Sequence, residues 1–563
     1  MANFLKTMSD AAPANGTTMI NVQIDGQWRQ FPKGTKLIEA CMQSGSFVPH
    51  YCYHPALTSP GNCRMCLLEI GSPKMDANRQ PVLGTDGRPE IAWNPRPQIS
   101  CALEITEGMA ARTQSPLVED CRKGVMEFLL INHPLDCPIC DKAGECRLQE
   151  FAVEFGKGGS NFLEDKVKKP KRQDIGKHIV LDDERCILCS RCVRFMQEVA
   201  HDDVLGFVDR GSHTTLTVHP GQRLDSNYSL NTVDLCPVGA LTSTDFRFKC
   251  RVWFMSTVES VCDQCSRGCA IYLDHHKGEV MRYRPRENRQ VNDWWVCDNG
   301  RMSYTTLHDE RVLAPVVREG AKPTRATLDA ALEHAKAILA GRGDKVAVVV
   351  SATLDNEALF AARRLVAQAL KGARVFVSAR ADGADQDDIL LRNDKNPNRA
   401  GVEALFGALP DTAALRAAVA SGDVTHVLAL GGTFSADDVQ GATVIAASVH
   451  ATEAVRAAEV VLPLQSHAEH DGSFTNFAGQ VQRFQAGIAP VGEAVAGWEL
   501  LSRLGRALGA DLQLSSAGGA LKALAKEQPE FTGFTHISLG TTGRKLGSGL
   551  TVEAPAEPTA TAP

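Results

Sequence analysis

Residues 19–31 (MINVQIDGQWRQF) alternate apolar and polar positions on either side of Asp25-Gly26, the pattern of two half-buried strands joined by a tight turn. KLIEACMQSG follows with one amphipathic helical repeat, so the order strand, strand, helix predicts a small sheet crossed by a short helix. From Pro116 to Asn132 a helical period places Leu117, Val118, Cys121, Val125, Phe128 and Leu129 on one face, and the helix is expected to stop at His133-Pro134. Lys166, Lys168, Lys169, Lys171 and Arg172 form a basic stretch with little apolar content. Charge runs mostly face water, so this one is read as a solvated linker rather than a docking patch.

Beyond residue 310 the pattern changes to apolar runs alternating with helices. KVAVVVS (345–351), RVFVS (374–378), THVLALGG (425–432), ATVIAAS (442–448) and AEVVLPL (458–464) read as buried parallel strands, with DNEALFAARRLVAQALKG (355–372) as a crossover helix. A doubly wound α/β domain is expected. THVLALGG lacks the full G-x-G-x-x-G spacing, which argues against a dinucleotide site there. The tail APAEPTATAP, rich in Pro, Ala and Thr, is expected to be disordered.

Length and composition narrow the class. A chain of 563 residues implies three to five domains, since one core rarely serves more than about 200 residues. Apolar content of 44%, charged content of 22% and a formal charge of -6 show no bias toward nucleic acid or lipid. The N-terminal stretch MANFLKTMSDAAPANGTT has no apolar run behind a basic start, and no run of about 18 apolar residues occurs elsewhere. A cytoplasmic protein without direct membrane insertion is expected.

The cysteines change the picture. All 18 lie between Cys41 and Cys297. A long chain without an export signal has little use for a disulfide framework, so clustered Cys are read as thiolate–metal sites. Four sets are visible. Cys52, Cys63, Cys66 and Cys101 offer four soft anionic ligands, enough for two tetrahedral irons in a [2Fe–2S] cluster. Zinc accepts four sulfurs too, although a zinc ribbon wants two C-x2-C knuckles and only one is present. His133, Cys137, Cys140 and Cys146 offer one imidazole and three thiolates directly after a helix stop, which fits a [4Fe–4S] cluster or a zinc site. Cys186, Cys189 and Cys192 form C-x2-C-x2-C, and Cys236-Pro237 closes the set from a distance. Zinc motifs do not use that triplet, and Met196 stands where a two-cluster ferredoxin carries a further Cys, so a single cubane is read here. Cys262, Cys265 and Cys269 with the remote Cys297 repeat the logic with x2/x3 spacing, leaving [4Fe–4S], zinc and unligated thiols as readings, with the cluster favoured. Cys41, Cys121 and Cys250 remain. The first two fall on apolar helical faces and are read as small buried hydrophobes.

Taken together, CYHPALTSPGNCRMCLLEI, NHPLDCPICDKAGECRLQEF, ERCILCSRCVRF and LCPVGALT resemble the family of large iron–sulfur subunits, the G subunits, of bacterial NADH:quinone oxidoreductase, respiratory complex I, from about residue 18 to 310. The resemblance implies a multidomain α+β and α/β chain. Its parts are a β-grasp [2Fe–2S] ferredoxin domain (18–103), a [4Fe–4S] domain with one His and three Cys ligands (104–155) and a [4Fe–4S] ferredoxin-like domain (175–250). A further [4Fe–4S] domain (255–312) and a doubly wound domain (313–545) resemble those of molybdopterin oxidoreductases, and a disordered tail (546–563) follows. The implied cofactors are one [2Fe–2S] and three [4Fe–4S] clusters, the one at Cys262, Cys265, Cys269 and Cys297 being additional to the main wire. No molybdopterin is expected, because a pterin enzyme needs a far longer chain, no Cys follows Cys297, and Asn299 stands where such enzymes often carry Lys.

By the same resemblance the chain carries electrons from NADH and flavin toward quinone, coupled to proton translocation, and has no substrate site of its own. Its implied partners are a flavin- and NADH-binding subunit, other peripheral-arm subunits and a small ferredoxin-like [4Fe–4S] subunit. Its implied place is the cytoplasmic face of the bacterial inner membrane. The alternative is the iron–sulfur subunit of an NAD-linked formate dehydrogenase or hydrogenase complex.

Overall fold

The computed structural model describes residues 18–320 and 322–548, and it divides into two compact units between Phe254 and Met255. The N-terminal stretch 1–17 and most of the expected disordered tail, residues 549–563, lie outside the described residues.

In the first unit the alternating segment forms the expected hairpin, Met19–Ile24 antiparallel to Gln27–Pro32. Asp25 and Gly26 turn it at φ 48° and 83°, left-handed values that Gly takes freely and Asp better than most residues. Ile20, Val22 and Ile24 face inward against Leu37, Ile38 and Cys41 of the helix Leu37–Gln43. The sheet grows by Ala110–Arg112, parallel to the first strand, then Leu67–Pro73 and Ile91–Trp93, with Gln98–Ile99 paired to the start of Leu67–Pro73. A short helix over a mixed sheet is the β-grasp arrangement.

The next helix, Pro116–Leu130, begins with Ser115 accepting from the Val118 amide at 3.3 Å and Pro116 in the first position. Its buried face is not the expected one. Val118, Arg122 and Met126 are inside, whereas Leu117 is 38% and Phe128 78% exposed, and Cys121 is only half-buried. The helix is rotated because Arg122 lays its stem inward, donates to the Thr113 carbonyl at 2.9 Å and places its guanidinium over Phe155.

The basic stretch also departs from expectation. Lys166 donates to the Leu130 and Ile131 carbonyls at 2.9 and 2.7 Å, capping that helix, and Lys169 pairs with buried Asp183 at 3.5 Å. Lys171 reaches Glu184 at 2.8 Å and also pairs with Asp136, so these lysines stitch the unit, while Lys168 and Arg172 face water. Gln173–Asp174, Ile179–Leu181 and Leu241–Ser243 then form a small antiparallel sheet, and the helices Arg191–Glu198 and Asn231–Leu235 lie in the connection.

The second unit opens with an antiparallel sheet, Ser256–Val261, Ala270–His276 and Glu279–Pro285. After it comes a seven-stranded sheet whose five parallel strands are those the apolar runs predicted. Their spatial order is Arg374–Ser378, Val346–Ser351, His426–Leu430, Thr443–Ser448, Val460–Pro463, with the hairpin Val316–Glu319 and Lys322–Arg325 added antiparallel at the edge. Both faces are covered. Val346, Val348 and Val350 enter one core with Leu428, Leu430, Ile445 and Leu462, while Ala347 and Val349 enter the opposite core with Val427, Ala429 and Ala446. Burial on both sides explains why these strands read as unbroken apolar runs, each fully buried Val or Leu contributing about 1.5–3 kcal/mol.

Strand order reverses between Val346–Ser351 and His426–Leu430, the switch point where such folds bind ligands. Here Ser351 bonds to Thr353 and Thr433 at 2.7 and 2.8 Å, and Ser378 bonds to Thr433 at 2.8 Å. The hydroxyls satisfy one another.

Candidate metal centres

All eighteen cysteines are free thiols. Fifteen of them, with His133, make up the four sets expected from spacing. In the first set, pairing of Leu67–Leu68 with Gln98–Ile99 brings Cys66 beside Cys101, and Ser100 donates through its amide and hydroxyl to the Cys66 carbonyl at 3.2 and 2.9 Å. Cys101 and Cys63 donate to Cys52 and hold it as a thiolate far below the usual thiol range. Cys101 likewise lowers Cys66 to about 7, against the opposing effect of burial. Four sulfurs linked in this way are a donor set for two tetrahedral irons.

His133, Cys137, Cys140 and Cys146 line one recess together with Asp136, Gln149, Arg185 and Gly239. The His133 ring is kept neutral, its pKa lowered to about 4 by burial and then by the nearby Arg185 and Lys166 charges. Its Nδ1 is buried with no hydrogen-bond partner, the condition of an imidazole waiting for a ligand. Burial raises the Cys140 thiol and takes Cys146 to about 11. Cys137 is the exposed member of the set.

In the third set the compact triplet winds tightly, with Leu188 and Ser190 both left-handed at φ 53° and 59° and the Leu188 amide donating to Cys186 Sγ at 3.4 Å. Left-handed non-glycine residues cost about 1–2 kcal/mol each, a strain found at functional turns. Cys236 arrives at the end of Asn231–Leu235. Burial raises Cys192 far above the ordinary range, and the charges of Cys189, Cys186 and Cys236 add to it.

The fourth set sits on the small antiparallel sheet of the second unit. The Cys262 amide donates to the Cys269 carbonyl at 2.8 Å, and Cys297 accepts from the Gly300 amide at 3.3 Å. Burial raises Cys262, followed by the charges of Cys269, Asp263, Cys297 and Cys265, and a Cβ on Gly300 would meet both Cys262 Sγ at 2.9 Å and Cys297 Sγ at 3.4 Å. Cys41, by contrast, is a buried thiol of the β-grasp core, pushed up to about 12 by burial and Asp25.

Two glycines missed in the sequence shape these centres. A Cβ on Gly239 would stand 2.2 Å from Cys140 Sγ, and one on Gly300 would stand 2.9 Å from Cys262 Sγ. Each is the third residue after a remote cysteine, Cys236-Pro-Val-Gly and Cys297-Asp-Asn-Gly, so a signal was present. Arginines were missed too. Arg194 Nη2 donates to the Cys52 carbonyl at 2.6 Å and the Cys189 carbonyl at 3.4 Å, tying the first set to the third. Among the described residues no three His, Cys, Asp or Glu side chains close tightly enough to hold one metal ion. Ligands of a cubane stand at the corners of a polynuclear core, so this spacing does not count against a cluster.

Comparison with known proteins matches five segments of the chain. A 2Fe-2S iron-sulfur cluster binding domain matches residues 17–116, an NADH-ubiquinone oxidoreductase-G iron-sulfur binding region 122–160, and the ferredoxin-like domain of NADH-quinone oxidoreductase subunit 3 residues 176–242. A molybdopterin oxidoreductase Fe4S4 domain matches 255–309, and a molybdopterin oxidoreductase domain 398–507. The G subunit of NADH-quinone oxidoreductase from Rickettsia felis is 38% identical over 349 residues, 62% of this chain and 49% of that protein. Subunit 3 from Thermus thermophilus is 38% identical over 370 residues, 63% and 47%. The chain spans about half the length of these relatives. A solved NAD+-reducing [NiFe]-hydrogenase matches at 27% identity over 41% of this chain and 91% of the other, and its TM-score of 0.35 is too low to carry a common architecture. Through its iron–sulfur front this chain is similar to the G subunits of NADH-quinone oxidoreductase, and residues 255–309 and 398–507 are similar to domains of molybdopterin oxidoreductases.

Proposed function

We propose that the chain is an electron-transfer subunit of NADH:quinone oxidoreductase, acting between an NADH- and flavin-binding subunit and a small ferredoxin-like [4Fe–4S] subunit, in a membrane complex that translocates protons. Cys52, Cys63, Cys66 and Cys101 would hold a [2Fe–2S] cluster. His133 with Cys137, Cys140 and Cys146, Cys186 with Cys189, Cys192 and Cys236, and Cys262 with Cys265, Cys269 and Cys297 would each hold a [4Fe–4S] cluster. When bound, these groups supply one-electron transfer without bond making. The protein's own residues space them, exclude water and tune them. The domain divisions at 18–103, 104–155, 175–250, 255–312 and 313–545 belong to this proposal.

The observation that carries it is the contiguity of three sets within the first unit. Arg194 bridges the ligand backbones of the Cys52 and Cys186 sets, and the turn that begins at Cys236 of the latter ends at Gly239 against Cys140. These contacts support reading the Cys186 set as the middle of three in a relay. Among the described residues no helix is long and apolar enough to cross a membrane. Attachment to the membrane is proposed to come through partners, on the cytoplasmic side. The back half is proposed to bind no pterin.

The test is elemental analysis of the anaerobically purified chain with EPR after reduction. Two irons for the first site and four for each of the others give about fourteen per chain, with matching acid-labile sulfide and no molybdenum. Zinc in place of iron, or an absence of sulfide, refutes the proposal.

A further inference from the structure

We propose that Arg185 is a tuning residue of the His133 centre: its guanidinium donates N–H hydrogen bonds to cluster sulfur there and favours the reduced state. This rests on reading His133, Cys137, Cys140 and Cys146 as a cluster site. Arg185 closes the one-turn helix Asp183–Arg185 immediately before Cys186, so its backbone belongs to the third centre. Its side chain leaves that centre and lines the recess of the second. The side chain is 4% exposed, and one nitrogen, Nη2, accounts for its protein partners, Asp136 at 3.1 Å and Asp182 at 3.4 Å. Nε and Nη1 are buried with no partner.

A buried guanidinium with two unsatisfied nitrogens is costly, and a long flexible side chain is not held in such a place unless something there accepts its protons. The recess offers sulfur. A Cβ on Gly239 would lie 2.2 Å from Cys140 Sγ and 3.6 Å from Arg185 Cδ, so the space of a single absent methyl separates the arginine stem from that thiol. Charge points the same way, because the Arg185 cation opposes the effect of burial on the Cys140 thiol. Reduction adds one electron and one negative charge to a cluster, and both a fixed buried cation and hydrogen bonds to sulfur favour the reduced form.

The bland alternative is that Arg185 merely anchors Asp136 and Asp182. The two roles separate by sign. Arg185→Gln removes the cation, whereas Asp136→Asn removes an anion from the same recess and leaves the cation in place. Redox-poised EPR of the full chain, purified anaerobically, reads the reduced fraction of the centre whose signal disappears in Cys140→Ser. Arg185→Gln is expected to lower the ratio of reduced to oxidised centre about tenfold at fixed potential, which for one electron is about 59 mV. Arg185→Lys should fall between it and the parent, and Asp136→Asn should shift the ratio the opposite way. Loss of an anchor would move Arg185→Gln and Asp136→Asn together or move neither, and either result overturns the proposal. If Arg185→Gln fails to hold iron, Asp136→Asn still decides, since no upward shift there refutes the role. A parent chain with no iron or sulfide at this centre defeats the cluster reading itself, a result distinct from an unshifted potential.

Discussion

Gly239→Ala puts the closest approach at the His133 centre to the test. Gly239 has no left-handed backbone requirement, so only the space occupied by a methyl group is at stake. That methyl would stand 2.2 Å from Cys140 Sγ and 3.3 Å from Lys142 Cβ, whereas ordinary contact begins at 3.4 Å. The sulfur must therefore retreat by about 1.2 Å, the difference between 3.4 and 2.2, or the turn must back away by as much. Ligand positions around a metal tolerate only about 0.2 Å. Overpacking a buried site costs about 1–3 kcal/mol by itself, which the chain can survive, but the His133 centre cannot then close around a cluster. Iron should fall from about fourteen to about ten per chain, with the EPR signal of that centre lost and the others kept. Gly124→Ala is the control: it lies inside the helix Pro116–Leu130 with nothing within 4 Å of the new methyl, and it should be neutral or stabilise by about 0.5–1 kcal/mol. Full iron content and unchanged spectra in Gly239→Ala would refute the placement of Cys140 at a cluster.

Two further outcomes concern the second unit. Arg311 and Glu469 form a buried two-pronged pair at 2.7 and 2.8 Å, so Glu469→Leu strands a buried cation and should cost about 3–5 kcal/mol, while Arg311→Met with Glu469→Leu recovers most of it. Calorimetry of the unfolding transition of this unit reads both, and equal losses in the single and double variants would contradict the pairing argument. His470 is raised above its ordinary value of 6.5: burial opposes its charged form, but the hydrogen bond and charge of Asp355, 3.2 Å away, prevail. A raised histidine stabilises most fully below its unfolded value, here 6.5, and loses that contribution as pH climbs through its folded pKa. Asp355 is lowered, so its contribution is lost as pH falls below 3.8. Stability of the parent relative to His470→Gln should therefore decline as pH rises above 6.5, and a pH-independent difference would rule the pair out.

The cysteine spacings gave an expected grouping of the sulfurs, because the ligands of a compact turn lie a few residues apart and their chemistry is local. The five apolar runs were enough for the parallel sheet, since strands buried on both faces announce themselves without any knowledge of neighbours. The resemblance to the complex I family rested on the same local segments and stands in the relatives. Other features failed to show because they depend on partners far along the chain. The phase of Pro116–Leu130 was misread because an arginine, polar by type, buries its stem there and turns Phe128 outward. The basic stretch looked like a linker because nothing near it in sequence reveals that Lys166 caps a helix 35 residues earlier.

What the amino-acid order determined on its own was the inventory: which residues are candidate iron ligands, and which segments form strands or helices. Adjacency between groups was decided only by the tertiary structure. The link from the Cys52 set to the Cys186 set through Arg194, and the approach of Gly239 and Arg185 to Cys140, join positions from 45 to 142 residues apart. Such contacts arise from packing and from the need to satisfy buried charge, and neither leaves a periodic trace in a sequence.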